Sequence, residues 1–325
     1  MHLHQSDVTG TVNMSNPTGV AEAVCAIIGN CYGSDSVGPL QQGFLDLEAA
    51  FWGRWPGLLP CDTPYHDLRH SMGTALLLAR MVAGYERARP ADLPSLGRDE
   101  GVLAVLLALF HDIGFLRRED ESHINGACLA PEHERRGVEF MRQYLANTPL
   151  AHLRQQAELI QVTNFSARVD HTLAGLPQHL FIMGQMLGSS DLISQIASRY
   201  YLERCRYHLY AEFVAAGADR KTLPNGDIVM VYASAEDLLR KTPGFYKHMA
   251  KPRLEGEFDH AARFIKAHFD GDDPYERGIR RNLAFLQGMI EMNDYSGLNR
   301  KPVPLIPASL SAQRTTTTAS PAAGT

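Results

Sequence analysis

Histidine and aspartate recur in this sequence at a spacing that could build a metal site. His66 and His70 are four residues apart, and the pair His111-Asp112 follows His70 by 41 residues at the end of the unbroken apolar run 102–110. Burying an unpaired charge costs several kcal/mol, so a carboxylate at the end of a buried helix needs a partner or a metal. Imidazole and carboxylate together suit Zn, Mn, Fe or Mg. The spacing therefore indicates a divalent metal centre.

A later aspartate extends the series. Asp191 follows Gly188-Ser189-Ser190 and precedes an apolar pair. We expect it to start a helix, and it continues the ordered series of His70 and His111-Asp112. The alternatives are structural: Asp191 could be only a helix N-cap, and an isolated His-Asp pair could be a packed histidine beside a capping carboxylate. The ordered series favours the metal site.

Two helices are expected to position these side chains. Thr63 is a good N-cap and Pro64 suits the first helical position, which predicts a helix running to about residue 85. On that helix His66 and His70 would share one face. A second helix should open near Asp99 and end at His111-Asp112. A ligand set could then form where the two helices meet.

The remaining chain is also predicted to be helical. Apolar periodicity predicts further helices at about 20–28, 40–52, 131–145, 151–165, 178–188, 191–216, 235–250, 257–269 and 274–292. A turn signal followed by a short β-branched run predicts one hairpin within 221–233. We therefore expect an all-α, multi-helix bundle with at most one small β-hairpin. It should form a single domain over 19–300, between disordered segments 1–18 and 301–325.

Composition narrows the classes of function. The chain has 325 residues, 45% of them apolar and 21% charged, and its net charge of −5 predicts no nucleic-acid partner. No run reaches the ~20 apolar residues that span a bilayer, and the start of the chain lacks the features of a signal peptide. We expect a cytoplasmic protein without a membrane partner. The sequence is compatible with a homo-oligomer.

The order of these residues resembles the HD-domain metal-dependent phosphohydrolase superfamily. Within it, the segment Asp62-Thr63-Pro64-Tyr65-His66-Asp67-Leu68-Arg69-His70 looks like the "PYHNxxH" signature of class I cyclic-nucleotide phosphodiesterases. Ser190-Asp191-Leu192-Ile193-Ser194 looks like their "ADLS" segment, Thr163-Asn164 like their "TD" pair, and Glu132 falls near their "ENHH" segment. The resemblance covers residues 40–213 and implies an HD/PDEase-like helical bundle of the bacterial type.

The resemblance also implies roles for individual residues. His70, His111, Asp112 and Asp191 would bind the tighter of two divalent metal ions, and Asp112 would bridge to the second. A hydroxide between the metals would be the nucleophile, and His66 the general acid. A histidine near its usual pKa of ~6.5 suits that task. The alternative for His66 is a packing or surface histidine.

Several positions depart from the family pattern or match it only weakly. Phe115 stands where the family has a histidine, Asp67 where it has asparagine, and Asn164 where it has aspartate. His133 resembles the histidine of the "HPxxGxxLL" segment in the bacterial HD-GYP branch. We expect His133, Glu132, Thr163, Asn164 and Asp67 to be candidates for a second metal or its surroundings, although a partly exposed histidine is the alternative for His133. Gln287 is a weak candidate for binding the substrate.

The expected activity is cleavage of a nucleotide phosphoester, with a phosphodiester such as a cyclic nucleotide as the leading substrate. A nucleoside monophosphate, a cyclic dinucleotide or a guanosine polyphosphate would suit other branches of the superfamily. A non-hydrolytic nucleotide or metal sensor is the alternative from another class. The presence of His66 favours an enzyme, because a sensor has no use for a proton donor.

Overall fold

The computed structural model describes residues 5–307 of the chain. Twelve α-helices lie within this part: α1 (Pro17–Tyr32), α2 (Gly38–Phe51), α3 (Leu68–Ala88), α4 (Arg98–Phe110), α5 (His133–Ala146), α6 (Val169–Thr172), α7 (Gln178–Ala197), α8 (Tyr201–Arg204), α9 (Tyr210–Ala216), α10 (Ala235–Phe245), α11 (Arg263–His268) and α12 (Pro274–Met292). Two strands, β1 (Arg220–Thr222) and β2 (Ile228–Met230), pair antiparallel as a hairpin. The prediction of an all-α bundle with one small hairpin is confirmed.

Shorter helical segments connect these elements. Segments with 3₁₀ geometry span Ser34–Ser36, Ile113–Phe115, Glu119–Glu121, Gly126–Leu129 and Ala151–Thr163, and π-helical turns span Cys205–Leu209, Tyr246–Ala250 and Arg253–Glu257. The helix predicted for 151–165 is thus present in 3₁₀ form. The π turn at 205–209 joins α8 to α9 in one continuous helical segment. Because α7 ends at Ala197, the helix predicted for 191–216 is divided near residue 198.

Helix α3 lies at the centre of the bundle and packs against α1, α4, α7 and α11. Helix α4 is buried along its whole length from Gly101 to Phe110, because its apolar run leaves no polar face for water. Helix α7 crosses both α3 and α4. One continuous cluster of buried apolar side chains joins these helices to the others, so the ends of α3 and α4 and the middle of α7 meet inside the molecule.

The start of α3 differs from the sequence prediction. The helix begins at Leu68, not at Pro64, and its N-cap is Asp67, whose carboxylate accepts the backbone N–H of His70. The hydroxyl of Thr63 instead binds the carbonyl of His66. His66 therefore lies before α3 and does not share a helical face with His70. The N–H groups of residues 65 and 66 instead donate to the carboxylate of Glu212, far along the chain.

Helix α7 runs unbroken through the segment where a new helix was expected to start. Gly188 faces the ring of Phe258, and a side chain at this position would overlap that ring. The Ser190 hydroxyl bonds back to the carbonyl of Leu187 within the helix. Asp191 thus projects from the interior of α7, and the prediction that it begins a helix is wrong. Close packing, not a break in the helix, explains the small residues at 188–190.

Both ends of the described chain are ordered against the bundle. Asp7 accepts the backbone N–H groups of Thr11 and Val12 and forms a buried ion pair with Arg80 of α3, with Nη1 and Oδ2 2.7 Å apart. At the other end, the Leu305 N–H donates to Asp67 Oδ2. Composition predicts disorder at both ends of the chain, whereas these contacts join parts of the segments 5–18 and 301–307 to the bundle. Residues 1–4 and 308–325 lie outside the described part.

The described residues have two further properties, which concern membrane-spanning helices and cysteines. None of the helices in this part is both long and apolar enough to cross a membrane. The five cysteines are unpaired, and three of them, Cys25, Cys61 and Cys205, are buried. Burial raises the pKa of the Cys25 thiol to about 11, which keeps it protonated.

Candidate metal centre

Four side chains from three helices converge at one buried point. Nε2 of His70 lies 3.2 Å from Oδ2 of Asp112 and 3.2 Å from Oδ1 of Asp191. Nε2 of His111 lies 3.2 Å from Oδ2 of Asp112, 3.5 Å from Oδ1 of Asp191 and 3.2 Å from Nε2 of His70. His70 comes from the first turn of α3, His111 and Asp112 follow the end of α4, and Asp191 comes from α7. The structure thus brings the four predicted ligands together.

These separations are the ones that a bound metal would require. Ligand atoms about 2.1 Å from a metal lie about 3.4 Å apart in a tetrahedral site and about 3.0 Å apart in an octahedral one. The His70, His111 and Asp112 ligand atoms all lie within 4.8 Å of one another and are buried. Asp112 Oδ2 faces the two imidazoles but accepts no hydrogen bond of good geometry from any described residue. A buried oxygen in this position suits coordination, so the group could hold a metal ion.

The imidazole of His111 is oriented to act as a ligand through Nε2. Its Nδ1 lies 2.8 Å from the carbonyl oxygen of Ala108, so the proton resides on Nδ1 and is donated to that carbonyl. Nε2 then faces Asp112 and Asp191, and it would offer its lone pair to a metal once its proton is lost. This arrangement, with one ring nitrogen held by a backbone carbonyl, is the usual support for a metal-binding histidine.

Strong electrostatic coupling holds the cluster together. Burial opposes the ionisation of Asp112, but His111 and His70 outweigh it and hold the pKa of Asp112 well below its usual range. The pKa of Asp191 is also lowered, since its interactions with His111 and His70 outweigh its burial. Burial would lower the pKa of His111, and the two carboxylates raise it well above its usual value. The carboxylates are therefore ionised at neutral pH, as cation binding requires.

Beside this cluster, His66 forms a short contact with Glu212. Nδ1 of His66 lies 2.5 Å from Oε2 of Glu212, and the other carboxylate oxygen accepts the backbone N–H groups of Tyr65 and His66. Glu212 is buried on α9, whereas the His66 side chain keeps 23% of its surface exposed. Burial would lower the pKa of His66, but Glu212 outweighs it and the pKa is raised. Glu212 therefore orients the ring and favours its protonated form.

Phe115 lies between two histidines at the edge of the cluster. Its ring stacks on His66 at 4.4 Å between centroids and on His133 at 4.2 Å. Nε2 of His133 is 3.6 Å from Oδ1 of Asp112, while its Nδ1 donates to the Ala130 carbonyl. Burial lowers the pKa of His133 to about 4, so its Nε2 lone pair is free at neutral pH. His133 thus faces Asp112 from the side opposite His70 and His111.

A cavity of about 380 Å³ opens onto these groups. His66, His70, Asp112, His133 and Asp191 form its polar end. Its far wall consists mainly of aromatic and aliphatic side chains. These are Phe165, Leu209, Phe213, Tyr232, Leu238 and Phe245. A volume of this size accommodates a small-molecule ligand.

Three of the predicted residues do not reach this cavity. Asp67 is fully buried, caps α3 and pairs with Arg204, whose Nη2 is 3.0 Å from its Oδ1, so it positions His70 through the backbone. Glu132 pairs with Arg135 at the surface. Gln287 is exposed on α12 and donates to Glu291. Short motif resemblances suggested these residues, and such motifs do not fix where a side chain lies in the folded chain.

Thr163 and Asn164 do line the cavity but are held by local bonds. The Thr163 hydroxyl donates to the Ile160 carbonyl, and the Asn164 side chain accepts the N–H of Ser166. Their side chains therefore shape the wall of the cavity, and neither makes a described contact with the metal-site cluster.

Four residues of the site were missed by sequence reasoning. Glu212 and Glu134 are buried acids on α9 and α5; burial raises the pKa of Glu134 to about 7. Gln195 donates to Asp191 Oδ1 and accepts the Tyr65 hydroxyl. Arg253 binds the carbonyls of the loop 162–165, which forms one wall. Gln195 could have been found, since it lies one turn after Asp191, but no short spacing connects Glu212 to His66.

Comparisons with known proteins do not identify the chain. Neither protein-family models nor curated proteins give a match to it. The assignment of a function therefore depends on the geometry of the site and on the motifs in the sequence.

Proposed function

We propose that this protein is a metal-dependent phosphohydrolase that cleaves a phosphoester of a nucleotide, with a phosphodiester such as a cyclic nucleotide as the leading substrate. One observation carries the proposal. The ligand atoms of His70, His111, Asp112 and Asp191 converge at coordination spacing, and the His66–Glu212 pair lies beside them at the same cavity. This combination offers a cation site and a proton donor to one substrate.

The metal centre we propose contains two divalent ions. Two imidazoles and two carboxylates would hold the first, and Asp112 Oδ1 together with His133 Nε2 would face the second. Zn, Mn, Fe and Mg are the candidates for such mixed nitrogen and oxygen donors. When bound, such ions neutralise charge on the phosphoryl oxygens and lower the pKa of a coordinated water.

His66 is the proposed proton donor to the leaving oxygen. Glu212 accepts its Nδ1–H, which leaves Nε2 to carry the proton toward the cavity. The raised pKa of His66 keeps that proton bound near neutral pH, where it can be given to an alkoxide. Phe115 supports the ring from one face, so its orientation is restrained on two sides.

The walls of the cavity support a nucleotide as substrate. Among the lining residues, the ring centroids of Phe165 and Phe245 lie 5.6 Å apart, and Phe213 stacks on Tyr232. Aromatic faces bind nucleobases by stacking, whereas the cation site lies at the other end, where a phosphate would bind. Lys241 near the Tyr232 ring contributes a positive charge at the wall.

The other activities remain as alternatives. A nucleoside monophosphate, cyclic dinucleotide or guanosine polyphosphate would place its phosphate at the same end of the cavity. A non-hydrolytic sensor would need the ligands but not His66. The buried Glu212 beside a partly exposed His66 favours the enzyme, because a purely structural histidine gains nothing from being oriented toward a cavity.

The proposal is tested by metal analysis and turnover. Purified protein should contain divalent metal by inductively coupled plasma mass spectrometry. It should hydrolyse bis-p-nitrophenyl phosphate with Mn and lose that activity with a chelator. A screen of cyclic mono- and dinucleotides then identifies the natural substrate class. Metal-loaded, folded protein that binds nucleotides but turns over none of these esters would establish the sensor instead.

A further inference from the structure

A second cavity lies behind the metal-site cluster, between the N-terminal segment and helices α3, α7 and α8. Its volume is about 70 Å³, whereas one water needs about 10–15 Å³ of comparable space. Tyr65, His70, Gln195 and Tyr201 line both this cavity and the larger one. The two cavities are thus separated by a wall that includes a proposed metal ligand.

Two arginines that form no ion pair with any described residue line this second cavity. Arg69 makes one side-chain hydrogen bond, from Nη2 to the hydroxyl of Ser15, and its buried Nε has no partner. Among the described residues, the Arg199 guanidinium has no hydrogen bond or ion pair, and its Nε is buried as well. The hydroxyl of Ser6, also buried in the cavity wall, has no partner either. Buried donors normally have an acceptor, so these three groups together call for one.

The charges around the cavity do not supply that acceptor. Within residues 5–307, Asp7 is the only acid on its lining, and that carboxylate is already neutralised by Arg80 and accepts the N–H groups of Thr11 and Val12. The third arginine of the wall, Arg204, is paired with Asp67. The Arg199 guanidinium therefore has no ion-pair partner among the described residues, and Arg69 is attracted by the Asp67 carboxylate without forming an ion pair with it.

We propose that this cavity binds a small tetrahedral oxyanion, of the phosphate class, between Arg69 and Arg199. Guanidinium groups form strong, directional bonds with such oxygens, and the Ser6 hydroxyl can donate a further bond. Its volume of about 70 Å³, against about 380 Å³ for the larger cavity, favours an ion of the size of free phosphate. This site does not depend on hydrolysis at the metal centre, and it can exist whatever the substrate of the larger cavity.

Phosphate titration of chelator-treated, full-length protein tests the proposal. Removing metal suppresses phosphate binding at the metal site, and Asp112→Ala removes a principal ligand of that site altogether. By isothermal titration calorimetry, we expect one phosphate per chain in the native protein and in Asp112→Ala. Arg69→Gln and Arg199→Gln should each weaken binding about 10- to 100-fold, because each removes a charge-assisted hydrogen bond.

A matched control removes the same charge elsewhere. Arg135 is exposed and paired with Glu132 on α5, so Arg135→Gln should bind phosphate like the native protein. Arg199→Lys, which keeps the charge without the planar fork, should bind with intermediate affinity. Circular dichroism verifies folding, and if Arg69→Gln is unfolded, the two Arg199 variants decide. No saturable binding to the native protein, or equal affinity in native protein and Arg199→Gln, would overturn the proposal.

Discussion

Nδ1 of His66 lies 2.5 Å from Oε2 of Glu212, although 146 positions separate the two residues in the chain. The same carboxylate accepts the N–H groups of residues 65 and 66, so it holds both the backbone and the ring of His66. This contact keeps residues 65 and 66 out of helix α3 and aims the imidazole at the cavity. Glu212 is therefore the residue on which the orientation of the proposed acid depends.

Glu212→Gln should reduce turnover without removing metal. The acid form of His66 is required, so activity is lost as pH rises through the pKa of His66. Glu212 raises that pKa, and the amide cannot, so the alkaline limb of the pH–rate profile should move to lower pH. A fall in kcat of about 10-fold or more at pH 8 is expected. An unshifted profile with normal metal content would contradict this role for Glu212.

The same contact predicts a pH dependence of stability. The pKa of His66 is raised in the folded protein, so its contribution to the free energy of unfolding is fully present below about pH 6.5 and is lost as pH rises through the folded pKa. Chelator-treated native protein and Glu212→Gln should therefore differ more in urea stability at pH 6 than at pH 9. Equal differences at both pH values would show that the interaction does not depend on the charge of His66.

His66→Ala should keep bound metal, because His66 is not one of the four converging ligands. It should lower kcat by roughly 10²–10⁴ on a ribose or alkyl ester, the range for a lost general acid. On a p-nitrophenyl diester the loss should be much smaller, because that leaving group hardly needs a proton. Equal losses on both esters would indicate a positioning role, and loss of metal would make His66 a ligand.

Asp112→Ala should remove bound metal and turnover together, because this carboxylate contacts both histidines and faces His133. The matched control is Glu132→Ala. Glu132 directly precedes His133 in the sequence, but its side chain is exposed and paired with Arg135. Metal content by mass spectrometry should fall in the first variant and stay at the native level in the second. A fully metal-loaded Asp112→Ala protein would exclude the proposed ligand set.

Arg253 should stabilise the cavity wall through the carbonyls of Val162, Asn164 and Phe165. Arg253→Ala leaves these acceptors without their donor, and we expect it to lower the free energy of unfolding in urea by about 2–4 kcal/mol. Arg168→Ala, in the same region but exposed, should leave the urea midpoint unchanged. A native urea midpoint in Arg253→Ala would show that water replaces the guanidinium without cost.

Local sequence signals determined much of the fold. The apolar run 102–110 required a helix buried on all sides, and the short β-branched run after a turn signal required the hairpin. The spacing of His70 and His111-Asp112 was enough to predict that they could meet between two helices, and the resemblance to the HD-domain superfamily added Asp191 to the set. Buried charged groups need partners, and these histidines and aspartates can serve as partners for one another.

The tertiary structure decided which residues surround those ligands. Thr63 and Pro64 carry a good local signal for a helix start, yet the Glu212 carboxylate takes the N–H groups that a helix from Pro64 would use, and Asp67 becomes the cap instead. Gly188 and its serines suggested a helix break, but close packing against Phe258 keeps α7 continuous. Such contacts join residues far apart in the chain, so no local pattern encodes them, and their energies outweigh the small differences between local caps.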